Sequence, residues 1–259
     1  MILGEKSWLQ ARDLTPRIVV LPLGSFEQHG HHLPLLTDSV IGSEIAARAE
    51  RELGEDALFL PMLWTGHSPH HLAFPGTVSL SSSTFIAVVE DVLESLIAGG
   101  FRRVLGFNSH GGNMAPSSVA LSNVQMRHAK EKPDLWLGLT SWFSLVNASD
   151  LEGLGLEQSK ISHACEWETS QIQAIRPDLV GEARPAARHD TGSRFWSSDY
   201  SRNAPLEIAR RIEQNSASGA FGWPELASPA KGEALFEIAT RELVALVREM
   251  KSWPDAGLE

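Results

Sequence analysis

The alternation of apolar runs with helical patterns is the feature that most limits the fold of this chain. Short runs rich in Val, Ile and Leu predict buried strands, and stretches with apolar residues three and four positions apart predict covering helices. The strands are predicted at 17–23, 57–63, 102–108 and 135–142, and the helices at 39–53, 82–98, 115–130, 166–175 and 231–250. This order favours an α/β fold, a three-layer α/β/α sandwich with a mostly parallel central sheet.

One long region departs from this alternation. Residues from about 176 to 228 are rich in Pro, Gly, Ser and Arg and show no regular period. They are too many for a simple connection, so we interpret them as an irregular excursion that covers a site or a neighbouring subunit. The chain has no internal repeat and no low-complexity linker, and we predict a single domain over residues 1–259.

The charge balance argues against several classes of partner. The chain has 32 acidic and 22 basic residues, a formal net charge of -10, and no Lys/Arg run. A nucleic-acid or membrane-surface partner is therefore not expected. The single Cys165 fits a reducing compartment, and the first residues lack the pattern of a signal peptide. No apolar run has the length of a membrane span, so we expect a cytoplasmic protein.

Potential metal ligands follow the predicted strands. Glu27 and His29 come directly after the first strand, Asp38 precedes the next helix, and His110 follows the third strand. Because ligands of parallel sheets bind beyond the carboxyl ends of the strands, these side chains should share one edge. With Glu166 from a later helix they supply two imidazoles and three carboxylates, a set that suits Zn²⁺ or Mn²⁺. Three carboxylates, two divalent ions and one bridging hydroxide would leave the site neutral, which favours two ions.

Other interpretations of these residues stay open. A single ion with spare acidic residues fits the same ligand set. His31 and His32 are interpreted as supporting residues of the loop. The glycines of 110–113 (HGGN) lack the G-x-x-x-x-G-K spacing of a phosphate-binding loop, and the chain has no G-x-S-x-G serine hydrolase motif.

Five motifs in order resemble those of the creatininase (creatinine amidohydrolase) family. They are LPLGSFEQHGHHLPLLTD, HLAFPGTVSL, FNSHGGN, HACEWETS and GWPELASPAKGE, and they extend from residue 21 to about 233. The resemblance implies a three-layer α/β fold, two divalent ions per subunit (zinc, manganese or iron) and hydrolysis of a non-peptide C–N bond. It also implies a homo-oligomer, commonly a hexamer.

The resemblance also implies a distribution of ligands. Glu27, Asp38 and His110 would hold one ion, and His29, Asp38 and a further acid would hold the other, with Asp38 as the bridge. The sequence resembles the "HAGE" type of member rather than creatininase itself.

The further acid is where this chain departs from creatininase. Creatininase has a glutamate two residues after the histidine of the third strand, whereas this chain has Gly112. Glu166 matches the acid that HAGE-type members supply from the later motif, and Glu168 would support the site. In the same motif His163 matches the residue proposed to transfer a proton.

The substrate-binding residues are also implied by the resemblance. Trp142 matches a tryptophan that covers the substrate, with plain core packing as the alternative, and His71 of the second motif is assigned to substrate binding. Ser159 replaces a further tryptophan of creatininase, so a flat creatinine ring would lose one stacking wall. Creatinine is therefore not the expected substrate.

The predicted function is metal-dependent hydrolysis of a small molecule, such as a cyclic amide or formamide. The ions would activate a water for attack on the carbonyl carbon, and His163 would pass a proton to the leaving nitrogen. The alternatives are a metallopeptidase acting on a small modified peptide, a hydrolase of a sugar- or inositol-derived compound, and a binding protein without catalysis.

Overall fold

A parallel sheet forms the centre of the molecule. The computed structural model describes residues 1–188, 191–197 and 205–254. Within those ranges the sheet has four strands, β1 (Ile18–Leu23), β2 (Ala57–Phe59), β3 (Arg103–Asn108) and β4 (Trp136–Ser141). Their order is β2-β1-β3-β4 and every pair is parallel, with Val19 of β1 opposite Leu58 and Val104.

Helices cover both faces of the sheet. Within the described residues the α-helices are α1 (Trp8–Arg12), α2 (Thr37–Leu53), α3 (Ser82–Ala98), α4 (Met114–His128), α5 (Trp142–Leu145), α6 (Glu166–Ile175) and α7 (Pro229–Lys251). Successive residues of a strand face opposite ways, so Ile18 and Val20 pack with α2, α6 and α7, while Val19 and Leu21 pack with α3 and α4. The predicted three-layer sandwich is confirmed.

Two strand boundaries differ from the prediction. The second strand ends at Phe59 rather than 63, because Pro61 has no N–H to donate to the neighbouring strand. The fourth strand ends at Ser141, whose hydroxyl accepts a bond from Ser144 N at 3.3 Å and caps α5. Trp142 is therefore the first residue of a short helix rather than the last of a strand.

The predicted excursion is irregular where the structure describes it. Between α6 and α7 the described residues form single turns at Pro177–Leu179, Ile212–Gln214 and Pro224–Leu226. Two parts of this region meet, since Ala187 pairs with Phe221. The region also contacts the loop after β1, since Gly181 N donates to His32 O at 2.8 Å. The predicted excursion and the predicted domain over 1–259 both include residues outside the described ranges. No helix in the described part of the chain is long and apolar enough to cross a membrane.

Candidate metal centre

The loop after β1 and the start of α2 carry three of the predicted ligands. Glu27 and His29 lie in the loop, which is held by a bond from Glu27 N to Leu35 O at 2.9 Å. Asp38 lies in the first turn of α2, where the helix dipole favours a carboxylate. Ser25 Oγ donates to Asp38 Oδ2 at 2.5 Å and so fixes the rotation of that carboxylate. All three ligands are buried.

Two buried asparagines hold the loop after β3 in place. Asn108 Oδ1 accepts a bond from His110 N at 3.2 Å, and Asn108 Nδ2 donates to His110 O at 2.6 Å. Asn113 Nδ2 donates to Gly24 O at 2.9 Å, which joins this loop to the loop after β1. The carboxyl ends of β1 and β3 thus present His110 to Glu27.

A first cluster consists of Glu27, Asp38 and His110. His110 Nε2 lies 3.2 Å from Glu27 Oε2, and His110 Nδ1 lies 3.4 Å from Asp38 Oδ2. One ligand atom from each residue fits within a common distance of 4.8 Å. Ligands that surround zinc tetrahedrally at its usual bond lengths stand roughly 3.3 Å apart. The cluster therefore has the dimensions of a metal site.

A second cluster lies on the other side of Asp38. His29 Nε2 is 3.5 Å from Asp38 Oδ1 and 3.9 Å from Glu168 Oε1. His163 joins it, with its ring centroid 4.3 Å from that of His29. Because the two oxygens of Asp38 face different histidines, one carboxylate contacts both clusters.

The structure does not bring Glu166 to either cluster. Its Oε1 accepts from Lys231 Nζ at 2.6 Å, and its Oε2 accepts from the backbone N–H groups of Glu157 and Gln158. Residues two apart in an α-helix point to nearly opposite sides, so Glu168 faces His29 while Glu166 faces α7. The structure thus places Glu168 beside His29, whereas the predicted ligand Glu166 lies away from both clusters. Glu168 also caps this helix, since its Oε2 accepts a bond from Cys165 N at 3.4 Å.

Of the predicted substrate-binding residues, His71 lies at the centre and Trp142 does not. His71 Nε2 is 3.2 Å from Glu27 Oε1. Trp142 is 1% exposed and packs against Phe143 and Trp167 in the core. An enclosed ring offers no surface to a ligand, so in this structure Trp142 is a core residue.

The pair His31 and His32 stays outside both clusters. His31 is exposed, and His32 is buried with Nε2 2.9 Å from Thr169 Oγ1 of α6. His32 thereby joins the loop after β1 to the helix that carries Glu168.

Without a cation, the buried carboxylates hold protons on two imidazoles. Burial opposes a charge on His29, but Asp38 and Glu168 outweigh it and raise the pKa of His29 to about 9. Burial likewise opposes a charge on His110, whose pKa is raised well above its usual value by Glu27 and Asp38. Burial raises the pKa of Glu168 to about 7. Protonated His29 and His110 thus balance the negative charge of the buried carboxylates. A bound divalent ion would supply that positive charge in their place.

His163 and His71 behave in the opposite way. Burial, together with the charge of His29, lowers the pKa of His163 to about 3. Burial also holds the pKa of His71 well below its usual value. Both rings are neutral at physiological pH.

Buried polar atoms without hydrogen bonds support a metal. Both carboxylate oxygens of Glu27 and Nε2 of His29 are buried and make no hydrogen bond within the described residues. Unpaired buried groups of this kind are costly and call for an ion. The carboxylate and imidazole donors fit zinc or manganese, so the residues present fit the predicted group.

Comparisons with known proteins identify the family of this chain. The family model "Creatinine amidohydrolase" (creatininase) matches residues 4–247. A creatinine amidohydrolase of Pseudomonas putida is 26% identical over 266 residues, covering 96% of each chain. A mycofactocin precursor peptide peptidase of Mycolicibacterium smegmatis is 33% identical over 247 residues, covering 90% of this chain and 85% of the relative. A solved structure of manganese creatininase superposes with a TM-score of 0.81 at 25% identity, covering 97% and 99% of the two chains. The chain belongs to the creatininase family and is one of its metal-dependent hydrolases.

Proposed function

We propose that this enzyme uses two divalent ions to hydrolyse a non-peptide C–N bond, such as a cyclic amide or formamide, in a small molecule. Glu27, Asp38 and His110 would hold one ion, and His29, Asp38 and Glu168 the other. The observation that carries the proposal is the position of Asp38, whose Oδ1 lies 3.5 Å from His29 Nε2 and whose Oδ2 lies 3.4 Å from His110 Nδ1. A carboxylate placed in this way is suited to bridge two cations.

The protein's own residues divide the remaining work. When bound, the ions supply Lewis acidity to the carbonyl and to the attacking water. His163, neutral and beside His29, accepts a proton from that water at Nδ1 as the water oxygen bonds to the carbonyl carbon. It then delivers the proton to the nitrogen as the C–N bond breaks. Ser25 keeps Asp38 from rotating through its hydroxyl bond.

A peptidase is the second candidate. It is favoured by the 33% identity to the mycofactocin precursor peptide peptidase over 90% of this chain. Such an enzyme would use the same residues on the amide of a small modified peptide. A homo-oligomer, as in the family resemblance, is part of the proposal and is checked by light scattering.

Metal analysis and a substrate panel test the proposal. We expect about two ions per chain after reconstitution with Zn²⁺ or Mn²⁺, and about one after His110→Ala. The panel contains cyclic amides, formamides, sugar-derived amides and short modified peptides, and mass spectrometry identifies the bond that is cleaved. Turnover of peptides alone would favour the second candidate. Unchanged metal content in His110→Ala would contradict the placement of the first ion.

A further inference from the structure

Gln28 lies between the two predicted ligands Glu27 and His29, yet its side chain turns to two neutral histidines. Its amide Nε2 lies 2.7 Å from His71 Nδ1, 3.0 Å from His163 Nε2 and 3.1 Å from Gly219 O. Its Oε1 accepts a bond from Gly30 N at 2.9 Å. Because Gly30 N–H requires an acceptor, it decides which end of the amide is oxygen and which is nitrogen.

The hydrogens of this amide can be fully assigned. An amide nitrogen has two hydrogens, and here three neighbouring atoms compete for them. The backbone O of Gln28 lies 2.8 Å from His163 Nε2 and needs a donor. His163 Nε2 cannot donate to that oxygen and accept from the amide at once. The amide hydrogens therefore go to His71 Nδ1 and Gly219 O, and the proton of His163 is on Nε2.

The two rings then present opposite groups to the centre. His71 Nδ1 is an acceptor, so its proton is on Nε2, which lies 3.2 Å from Glu27 Oε1. His163 has its proton on the side of Gln28, so its Nδ1, 3.8 Å from Glu27 Oε1, carries the lone pair. His71 thus has its N–H on the side of Glu27, although the two groups are not aligned as a hydrogen bond, and His163 presents its lone pair to the same region.

We propose that Gln28 is a positioning residue that places the proton of both His71 and His163 on Nε2. This rests on the proposed function, because it explains how His163 is ready to accept a proton at Nδ1. The position of these protons also bears on a third group of potential ligands, Glu27, His71 and His163. The ligand atoms of this group lie within 4.8 Å of one another, as they do in the two clusters. A ring that carries its proton on the nitrogen facing the carboxylate cannot bind an ion there. We therefore do not expect this third group to hold an ion of its own.

NMR of the metal-free protein tests the positions of the protons without any activity. Histidine labelled with ¹⁵N distinguishes a protonated ring nitrogen from an unprotonated one, and His71→Gln and His163→Gln assign the signals. At pH 7.5 we expect the proton of both rings on Nε2. In Gln28→Glu a carboxylate oxygen replaces the donor, so the proton of His71 should move to Nδ1 while that of His163 stays. A wild-type His71 with its proton on Nδ1 would overturn the proposal, as would a Gln28→Glu variant in which His71 does not change.

Kinetics provide the second readout, with a matched control. Gln171 of α6 is buried like Gln28, but its amide atoms make no hydrogen bond within the described residues. Gln28→Met should lower kcat by about 10- to 100-fold, the usual loss for a residue that orients a metal site, with KM changed far less. Gln171→Met should leave kcat within about 3-fold, and equal losses in both variants would overturn a specific role for Gln28. If no substrate is turned over, the proposed function fails, whereas the NMR result still decides the proton positions.

Discussion

Glu166 and Glu168 lie two residues apart in the first turn of α6, but their carboxylates have different surroundings. Glu166 is satisfied by the protein itself, with Lys231 on one oxygen and two backbone N–H groups on the other. Glu168 faces His29 and Asp38, and burial raises its pKa to about 7. The first carboxylate joins α6 to α7, and the second is left with a charge that the fold does not fully compensate. An acid in a family motif is therefore a candidate ligand only if the fold leaves it without a cation of its own.

Neutralising each acid in turn should give the largest difference between Glu166 and Glu168. Glu168→Gln removes a ligand of the proposed second ion, so kcat/KM should fall by more than about 100-fold, beyond the loss usual for outer residues. Metal content should fall from about two ions per chain to about one. Plasma mass spectrometry and steady-state kinetics measure both effects.

Glu166→Gln is the matched control for that variant. It makes the same chemical change in the same helical turn, and metal content per folded molecule should remain at about two. If Glu166→Gln lost an ion and Glu168→Gln kept both, the assignment of the acids would have to be reversed.

The second prediction concerns stability rather than catalysis. Lys231→Met leaves the charge of Glu166 buried without its cation, which typically costs about 3 to 5 kcal/mol of unfolding free energy. The double variant Glu166→Gln/Lys231→Met removes the charge as well and should be more stable than Lys231→Met. Urea denaturation of the metal-loaded proteins measures the difference. A loss of bound metal in folded Lys231→Met would show that this pair belongs to the centre after all.

The third prediction concerns how the stability of the metal-free protein changes with pH. Without metal, the charge of Glu168 and Asp38 is balanced by protonated His29, whose pKa is raised to about 9 from an unfolded value near 6.5. A raised pKa contributes stability that is fully present below pH 6.5 and is lost as the pH rises through 9. For His29 this amounts to about 3 kcal/mol, and the raised pKa of His110 acts in the same direction.

Thermal denaturation from pH 6.5 to 9.5 checks this sign. The chelated protein should lose stability across the range, and the manganese-loaded protein should lose much less, because the ion replaces the protons. A chelated protein that became more stable with rising pH would contradict the account of the buried charges.

Much of the centre could be predicted because it depends on where strands end. Glu27, His29, Asp38 and His110 follow from two apolar runs, Ile18–Leu23 and Arg103–Asn108, and from the rule that parallel strands share one carboxyl edge. A shift of one or two residues in a strand boundary would not have moved these side chains to another edge.

The remaining parts depend on rotation and packing, which a single sequence does not specify. A shift of one residue in the predicted start of α6 changes which of its acids faces the centre. Helix boundaries predicted from sequence are usually uncertain by at least that much. Trp142 is enclosed because Trp167 of α6 packs against it, a contact between segments 25 positions apart. The place of His71 depends on the long loop after β2, which has no periodic pattern.

The last prediction asks whether the acid of the second ion can come from position 112, where the family resemblance places a glutamate in creatininase, and we expect no gain of metal. A Cβ at Gly112 would lie 2.4 Å from His110 Nε2, 2.4 Å from His67 O and 2.8 Å from His70 Cε1. A glutamate there cannot enter without displacing His110, itself a proposed ligand. Because that displacement also removes a ligand of the first ion, Gly112→Glu in the Glu168→Gln background should not restore the second ion and should lower metal content below one ion per chain. Gly112→Ala in the same background is the steric control. If the second ion returned in the glutamate variant alone, the centre would accept an acid from either side. Glu168 would then be one of several positions in this fold that can supply the acid of the second ion.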